Sequence, residues 1–447
     1  MRRPGQAAGS HPADAAVESV ITEARLDSPA MTSPNDRLTS EPLDISGLLQ
    51  QVVRNGLEGL PLDEQLSAFS RAVAASGFPM KRVSMGMRTL HPHYGALTYL
   101  WRPGMERAEF APQDRTMLGS DAYKRSPINH MLTSGGDTYR CRLDTGESLP
   151  FPILEAISDE GMTDYAACLV RYDPAAQGTS TLEGVFSSCA TDEPGGFDAE
   201  ELQQVYALLP HLAVAIKSRL TYEVAKTVAE TYLGKDAGDR VLTGEIERGS
   251  ARSIDAVIWF CDLRGFTQLS DRLGRNDLVA LLNQHLEILA RPVQEQGGQI
   301  LKFMGDGFLA TFDLTDKEPA AVCDAALAAA AELRASFGAF GRTRAEAAKP
   351  TLGFGLALHV GEVSYGNIGT DDRLDFTVVG HAVNEASRIQ DLCRPLKRDL
   401  LISRDFQRLV NNSPFRLESI GLYELRGVSS SRELFTLAAS GDAPING

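Results

Sequence analysis

The sequence lacks any apolar run of the roughly 18 to 20 residues that a membrane-spanning helix needs. The first residues, MRRPGQAAGSHPADAA, also lack the apolar core of a signal peptide. These two absences exclude a membrane span and predict a cytoplasmic protein.

Cysteine is scarce, and its spacing excludes the usual cysteine-based sites. No C-x-x-C pair and no Cys/His cluster is present, which argues against zinc, iron–sulfur clusters and a disulfide framework. We interpret the cysteines as reduced core residues. There are six of them: Cys141, Cys168, Cys189, Cys261, Cys323 and Cys393.

Positive charge is also in short supply. The 44 Lys and Arg residues face 59 Asp and Glu residues, and the formal net charge is -15. This balance disfavours nucleic acid or an anionic membrane as a partner. An acidic protein that handles an anionic substrate needs a local positive site or a metal ion.

The length of 447 residues predicts two domains with linkers. Residues 1–42 have no sustained periodicity, and we expect a disordered tail there and a flexible C-terminal tail at 439–447. Residues 43–198 alternate short strands with helices, which predicts an α+β domain with a mostly antiparallel sheet. Residues 199–250 form a helical linker in which Pro210 leaves either two helices or one kinked helix.

The second domain, residues 251–438, has a strand–helix–strand–strand–helix–strand order. This order is typical of the ferredoxin-like, split βαβ arrangement, which leaves one face of its sheet free. The predicted fold class is therefore α+β for both domains.

Two aspartates fall at strand ends in this domain. Asp262 follows the apolar run VIWFC, and Asp306 lies between Gly305 and Gly307 at the tip of a predicted hairpin. If the two strands are neighbours, both carboxylates can reach one hard cation such as Mg²⁺, which suits phosphoryl or nucleotidyl transfer. The alternative is a simple helix cap and a simple turn.

The backbone after Asp262 adds to the first interpretation. Residues 263–267 are predicted to turn into a helix, whose first N–H groups attract phosphate. Gly265 would let this backbone approach a ligand closely.

Four segments resemble, in order, the signatures of the class III nucleotidyl cyclase catalytic domain. They are FCDLRGFT, GGQILKFMGDGFLATF, LHVGEVSYGNIG and FTVVGHAVNEASRI, and the resemblance runs from about Arg252 to Leu437. The family makes cyclic AMP or cyclic GMP from a nucleoside triphosphate. The resemblance implies a homodimer with catalytic sites shared between its two chains.

The resemblance also implies roles for individual residues. Asp262 and Asp306 match the carboxylates that hold two Mg²⁺ or Mn²⁺ ions, and Lys302 and Thr377 match the pair that reads the purine. The triphosphate would lie along a short segment of backbone, comprising Leu263, Arg264, Gly265, Phe266 and Thr267.

Asn384 and Arg388 match the family's transition-state pair, and their spacing puts both on one face of a helix. Arg426 corresponds to a further triphosphate-binding cation. His381 departs from the family, since many relatives carry Asp there, which bears on subtype more than on activity.

Lys302 favours adenine over guanine. A lysine ammonium only donates hydrogen bonds, and adenine N1 accepts one, whereas guanine presents an N1–H donor. Guanylyl cyclases of this family carry Glu in place of the lysine. We therefore expect an adenylate cyclase that uses ATP; a guanylate cyclase and a catalytically degenerate nucleotide-binding, dimerising scaffold are the alternatives.

The first domain carries weaker signals. MRTLHPHYGALTYLWRPG and later blocks resemble the N-terminal halves of certain proteobacterial cyclases and, more loosely, GAF-type sensors. His91 and His93 are either metal or haem ligands or part of a loop. Trp101, Tyr99 and Phe110 either line a pocket for a small-molecule effector or belong to the core.

Overall fold

The computed structural model describes residues 44–172, 184–428 and 430–438. The chain divides into two compact units, Met1–Ala225 and Lys226–Gly447. The predicted tails, 1–42 and 439–447, lie outside the described residues. In the ranges that the structure covers, no helix combines the length and the apolar composition that a membrane crossing requires.

The first unit contains a six-stranded, fully antiparallel sheet, as its sequence predicts. Its strands are β1 Arg82–Arg88, β2 Tyr94–Trp101, β3 Glu109–Asp114, β4 Thr138–Arg142, β5 Asp164–Arg171 and β6 Gly184–Thr191. They lie in the order β3-β2-β1-β6-β5-β4. The GAF-like character of this unit stays a prediction.

Helices cover both faces of this sheet. One face packs against α1, α2 and the first part of α6, and the other packs against α4 and α5. The sequence interpretation missed the short helices after β3, because each is only four to eight residues long and is defined by local caps such as Ser126. The helical elements are α1 Ile45–Leu57, α2 Leu62–Ala75, a 3₁₀ turn Arg115–Gly119, α3 Asp121–Lys124, α4 Pro127–Ser134, α5 Pro152–Asp159 and α6 Ala199–Leu233.

The structure decides between the alternatives for the first unit's aromatic residues and histidines. Trp101 and Tyr99 are core residues, whereas Phe110 is exposed. His91 Nδ1 accepts a hydrogen bond from the His93 amide at 3.1 Å within the loop between β1 and β2. Both observations favour the structural interpretations over a pocket or a metal site.

The linker is one continuous helix, α6, which passes through Pro210. A second helix, α7 (Lys235–Leu242), follows Gly234, whose φ of 87° ends α6. The sequence interpretation included this stretch in the helical linker, residues 199–250. In the structure Ala237 of α7 is buried against the core of the second unit.

The second unit contains an eight-stranded sheet. Its strands are β7 Ala251–Arg264, β8 Gln299–Met304, β9 Gly307–Asp313, β10 Gly353–Gly369, β11 Leu374–Val379, β12 Leu400–Ser403, β13 Leu417–Tyr423 and β14 Arg432–Leu437. The order is β13-β14-β12-β10-β7-β9-β8, and β11 pairs with β10. The four strands β10-β7-β9-β8 are antiparallel and have the predicted ferredoxin-like order.

The remaining helices are divided between the faces of this sheet. The α9 and α10 helices cover one face, where they bury Trp259 and Phe308. The α7 and α11 helices cover part of the other face, over Ala256 and Ile258 of β7. The helices are α8 Phe266–Ser270, α9 Arg275–Glu295, α10 Pro319–Glu346, α11 His381–Leu392 and α12 Arg404–Gln407.

The sequence pattern predicts one helix from Thr267 to Gly297, and this predicted extent is wrong. The structure divides it into α8 and α9, with a break before Gly274, which precedes the first residue of α9 in an extended conformation. A glycine at this position favours a new helix start over a continuous helix.

Candidate active site

Backbone pairing places the two predicted aspartates side by side. Asp262 on β7 is paired with Gly307 on β9, and the Leu263 amide donates to the Asp306 carbonyl at 3.3 Å. Gly307 is required for this approach, because a Cβ atom there would lie 2.3 Å from the Cys261 carbonyl oxygen and 2.9 Å from Asp262 Cα. The sequence prediction that these strands are neighbours is confirmed.

The proximity of the two carboxylates affects the pKa of Asp262. The pKa of the Asp262 carboxyl is raised from 3.8 to about 6, first by burial and then by the charge of Asp306 and a hydrogen bond between the two side chains. Two adjacent carboxylates repel each other when both are ionised. A cation between them would remove this repulsion, and two oxygen donors suit Mg²⁺ or Mn²⁺.

The segment after Asp262 bends as predicted, but its residues differ in what they can offer a ligand. Gly265 has a φ of 85° and precedes the first turn of α8. The Leu263 amide is already bonded to the Asp306 carbonyl, and its side chain is in the core; substrate binding by Leu263 stays a prediction. The Arg264 guanidinium donates to the Arg398 carbonyl. The Phe266 and Thr267 amides lie in the first turn of α8, where helical partners are lacking.

Lys302 and Thr377 lie on β8 and β11, which approach each other. Thr377 is 4% exposed, and its Oγ1 has no hydrogen-bond partner among the described residues. Lys302 is half-buried, follows a register shift between β8 and β9, and forms no ion pair within the described part of the chain. An unpaired buried hydroxyl is costly until a ligand or water satisfies it.

Asn384 and Arg388 share the exposed face of α11, as their spacing predicts. The opposite face is buried through Ala382, Ala386 and Ile389. Arg388 Nη1 bonds Asp391 Oδ2 at 3.2 Å. Within the ranges that the structure covers, no hydrogen bond or ion pair joins Asn384 or Arg388 to Asp262 or Asp306.

Two further positions named in the sequence analysis are exposed. Arg426 is exposed in the turn between β13 and β14. His381, the departure from the family pattern, is 71% exposed, and its Nδ1 lies 3.7 Å from Glu385 Oε2.

A second cluster was missed by the sequence analysis. His359, Glu385 and Asp405 offer donor atoms that lie within 4.8 Å of one another. The only sequence signal is a histidine inside the apolar run LALHV, because Glu385 and Asp405 come from elements that are distant in sequence.

The carboxylate pair predicts an unusual stability effect. Since the folded-state pKa of Asp262 exceeds its unfolded value of 3.8, the free energy of unfolding falls as the pH rises from about 4 to above 6. At pH 7.5 without divalent metal, Asp306→Asn should raise the free energy of unfolding by less than about 1 kcal/mol, because burial of Asp262, the larger cause of its raised pKa, remains and solvent screens the rest. Urea denaturation monitored by tryptophan fluorescence, with Trp101 replaced by Phe so that Trp259 alone reports, measures the change.

Adding Mn²⁺ should then stabilise the wild-type chain and leave Asp306→Asn nearly unaffected. Asp372→Asn, at an exposed aspartate between β10 and β11, is the matched control and should behave as wild type. A loss of stability in metal-free Asp306→Asn would contradict the repulsion between the two carboxylates.

Comparisons with known proteins agree with this geometry. Residues 250–439 match the family model described as the adenylate and guanylate cyclase catalytic domain. An adenylate cyclase of Anabaena cylindrica is 33% identical over 167 residues, which cover 36% of this chain and 32% of the relative. Adenylate cyclase 2 of Rhizobium meliloti (strain 1021) is 30% identical over 248 residues, which cover 53% of this chain and 65% of the relative.

The chain thus spans about a third of the length of the first relative and just under two thirds of the second. Among solved structures, the adenylyl cyclase CyaB from P. aeruginosa matches with 27% identity and a TM-score of 0.39, over 43% of this chain and 97% of that one. A guanylate cyclase domain from Catenaria anguillulae in complex with GTP also matches, with 21% identity and a TM-score of 0.37, over 42% of this chain and 99% of that one. By the family match and the order of their motifs, residues 250–439 are similar to the class III adenylate and guanylate cyclase catalytic domains.

Proposed function

We propose that this protein is an adenylate cyclase that converts ATP to 3′,5′-cyclic AMP and pyrophosphate. The observation that carries the proposal is the adjacent pair Asp262 and Asp306 at one end of β7, within a class III cyclase domain. The ribose 3′-oxygen forms a bond to the α-phosphorus, the bond from that phosphorus to the bridging oxygen breaks, and pyrophosphate leaves.

Asp262 and Asp306 would hold two Mg²⁺ or Mn²⁺ ions. Such ions neutralise charge on a triphosphate and lower the pKa of a coordinated hydroxyl. The fit is supported by the donor set, since both ligands are carboxylates and their mutual repulsion favours a cation between them. The start of α8, with Gly265 before it, would supply N–H groups to phosphate oxygens.

Lys302 and Thr377 would select adenine. The Lys302 ammonium can donate to adenine N1, and Thr377 Oγ1 can accept from the exocyclic amine. The burial of Thr377 and its unpaired hydroxyl support this role, because a base that pairs with the hydroxyl would remove an existing cost. The names of the two adenylate cyclase relatives point the same way.

Asn384 and Arg388 would act on the substrate held by the partner of a homodimer. The exposed face of α11 leaves both side chains open to a second chain. Arg388 would stabilise the negative charge that develops on the α-phosphate, and Asn384 would orient the ribose. The exposed Arg426 would contact the triphosphate.

The first unit would regulate the catalytic domain in response to a small-molecule effector, and residues 199–250 would transmit the signal. The continuous helix α6 and the contact of α7 with the core of the second unit support a coupling role for this segment. The cytoplasmic location expected from the sequence stays a prediction.

Turnover of purified protein with ATP and with GTP, in Mg²⁺ and in Mn²⁺, tests the activity. We expect cyclic AMP as the main product and a kcat/KM for ATP at least about 100-fold above that for GTP, because a site built to pair with one base leaves polar groups unpaired with the other. Lys302→Glu should lower the kcat/KM for ATP by at least about 100-fold and raise the relative use of GTP.

Lys317→Glu, at an exposed position after β9, is the matched charge reversal and should retain wild-type kinetics. A preference for GTP in the wild-type chain would identify a guanylate cyclase. No product from either nucleotide would favour a nucleotide-binding scaffold.

Mixing inactive variants tests the shared sites. Equal amounts of Asp262→Ala and Arg388→Ala chains should regain about a quarter of wild-type activity, since half of the randomly formed dimers carry one intact site. Mixing Asp262→Ala with Asp306→Ala should restore nothing, because every site would lack one of its two carboxylates. If the first mixture stays inactive although heterodimers form, the sites are not shared.

A further inference from the structure

A buried ion pair lies beneath α11. Glu385, on the inner face of the helix, is 3% exposed. Arg432 on β14 donates two hydrogen bonds to the Glu385 carboxylate, at 2.5 Å from Nε to Oε1 and 3.3 Å from Nη2 to Oε2. Ser430 Oγ accepts a hydrogen bond from Arg432 Nη1 at 2.7 Å, and His381 Nδ1 lies 3.7 Å from Glu385 Oε2. The pair therefore joins α11 to a strand next to the β13 edge of the sheet.

The first half of α11 has few other polar attachments. Its preceding residue, Gly380, offers no side-chain cap, and the hydrogen bond from the Asn384 amide to the Gly380 carbonyl is long at 3.4 Å. The second half is bonded to β10 through Cys393 and Gln390, which reach backbone carbonyls at 3.4 Å. The Glu385–Arg432 pair is thus the main polar attachment of the first half.

Packing makes this end of the helix sensitive to rotation. Gly361 of β10 lies so close to α11 that a Cβ atom there would be 2.6 Å from the Ala382 Cβ atom. Next to it, His359 is 4% exposed, and its Nδ1 lies 2.9 Å from Ser403 Oγ on β12. Any rotation of α11 would separate Glu385 from Arg432 or press Ala382 into β10.

The cluster is better explained as an ion pair than as a metal centre. His359, Glu385 and Asp405 could in principle share a cation. However, Arg432 already compensates the Glu385 carboxylate. Burial alone would raise the pKa of Glu385, but the hydrogen bonds from Arg432, and after them the electrostatic attraction of His359 and Arg432, lower that pKa below its usual value. The buried carboxylate therefore stays ionised without a metal.

The exposed face of the same helix carries Asn384 and Arg388. Asn384 directly precedes Glu385, and Arg388 lies three residues beyond it. Because the end of an arginine side chain lies several ångströms from the helix axis, a rotation of roughly 15° displaces it by about 2 Å. Displacements of about 1 Å at a reacting centre can cost about 100-fold in rate.

We propose that Glu385 and Arg432 are positioning residues, which fix the rotation of α11 and thereby aim Asn384 and Arg388 at the substrate. The attachment of the helix stands on the structure alone, and its catalytic consequence rests on the proposed function. Neither residue contacts the reacting atoms.

Hydrogen exchange of the full chain, measured by mass spectrometry, tests the attachment without any need for activity. In Arg432→Met, amides of residues 381–388 should exchange at least about tenfold faster than in wild type, because removal of one partner leaves a buried charge unpaired. Peptides from α9 and α10 should be unchanged. Arg404→Met, which removes the exposed partner of Glu433 near the same strand, is the matched control and should leave α11 unchanged.

Kinetics then test the catalytic consequence. Arg432→Met and the milder Glu385→Gln should lower kcat by about tenfold or more with little change in KM, since ground-state binding residues are untouched. Each loss should largely disappear in an Asn384→Ala/Arg388→Ala background, because a residue that acts through these two side chains then has nothing left to position.

The outcomes separate the two claims. Unchanged exchange in α11 for both variants would overturn the proposal, whatever the activity. Faster exchange with kcat losses that add fully to that of Asn384→Ala/Arg388→Ala would show a purely structural pair and would also overturn it. A wild-type chain that makes no cyclic nucleotide would refute the proposed function, while the exchange data would still decide whether the pair anchors the helix.

Discussion

The forced proximity of two carboxylates is the constraint on which the catalytic domain depends. Pairing of β7 with β9 brings Asp262 opposite Gly307, and the Leu263 amide binds the Asp306 carbonyl. The backbone thus holds the two acids together before any ligand arrives, and burial raises the cost of ionising both. A glycine is needed at position 307. Repulsion between the two ionised carboxylates destabilises the local fold, and a bound cation would remove this repulsion.

Alternate side chains of each strand face opposite sides of the sheet, so the two faces pack against different helices. On β7, Val257 and Trp259 face the α9 and α10 core, while Ala256 and Ile258 face α7 and α11. Helix α11 repeats this division around its own axis, with Glu385 inward and Arg388 outward. The buried ion pair and the proposed transition-state pair therefore involve opposite faces of one helix. A substitution in the ion pair can change the positions of Asn384 and Arg388.

Local sequence patterns were sufficient to predict many of the strands and turns of the second unit. The apolar runs before Asp262 and around Asp306, with their glycines, predicted the strands, the hairpin and the neighbouring carboxylates. Features set by tertiary contact were not predictable. The Leu263 amide is bonded to a carbonyl in the turn between β8 and β9, and Glu385 meets Arg432 across 47 residues of sequence. The break before Gly274 had a visible signal, which the helical periodicity around it obscured.

The most direct test of the account is to count the Mn²⁺ ions bound per chain, by electron paramagnetic resonance titration in the presence of a non-cyclisable ATP analogue. The account predicts two ions for the wild-type protein, and a loss of tight binding when either Asp262 or Asp306 is replaced by Asn. Undiminished Mn²⁺ binding in both variants would contradict it, because the carboxylate pair would then have no role in holding the metal.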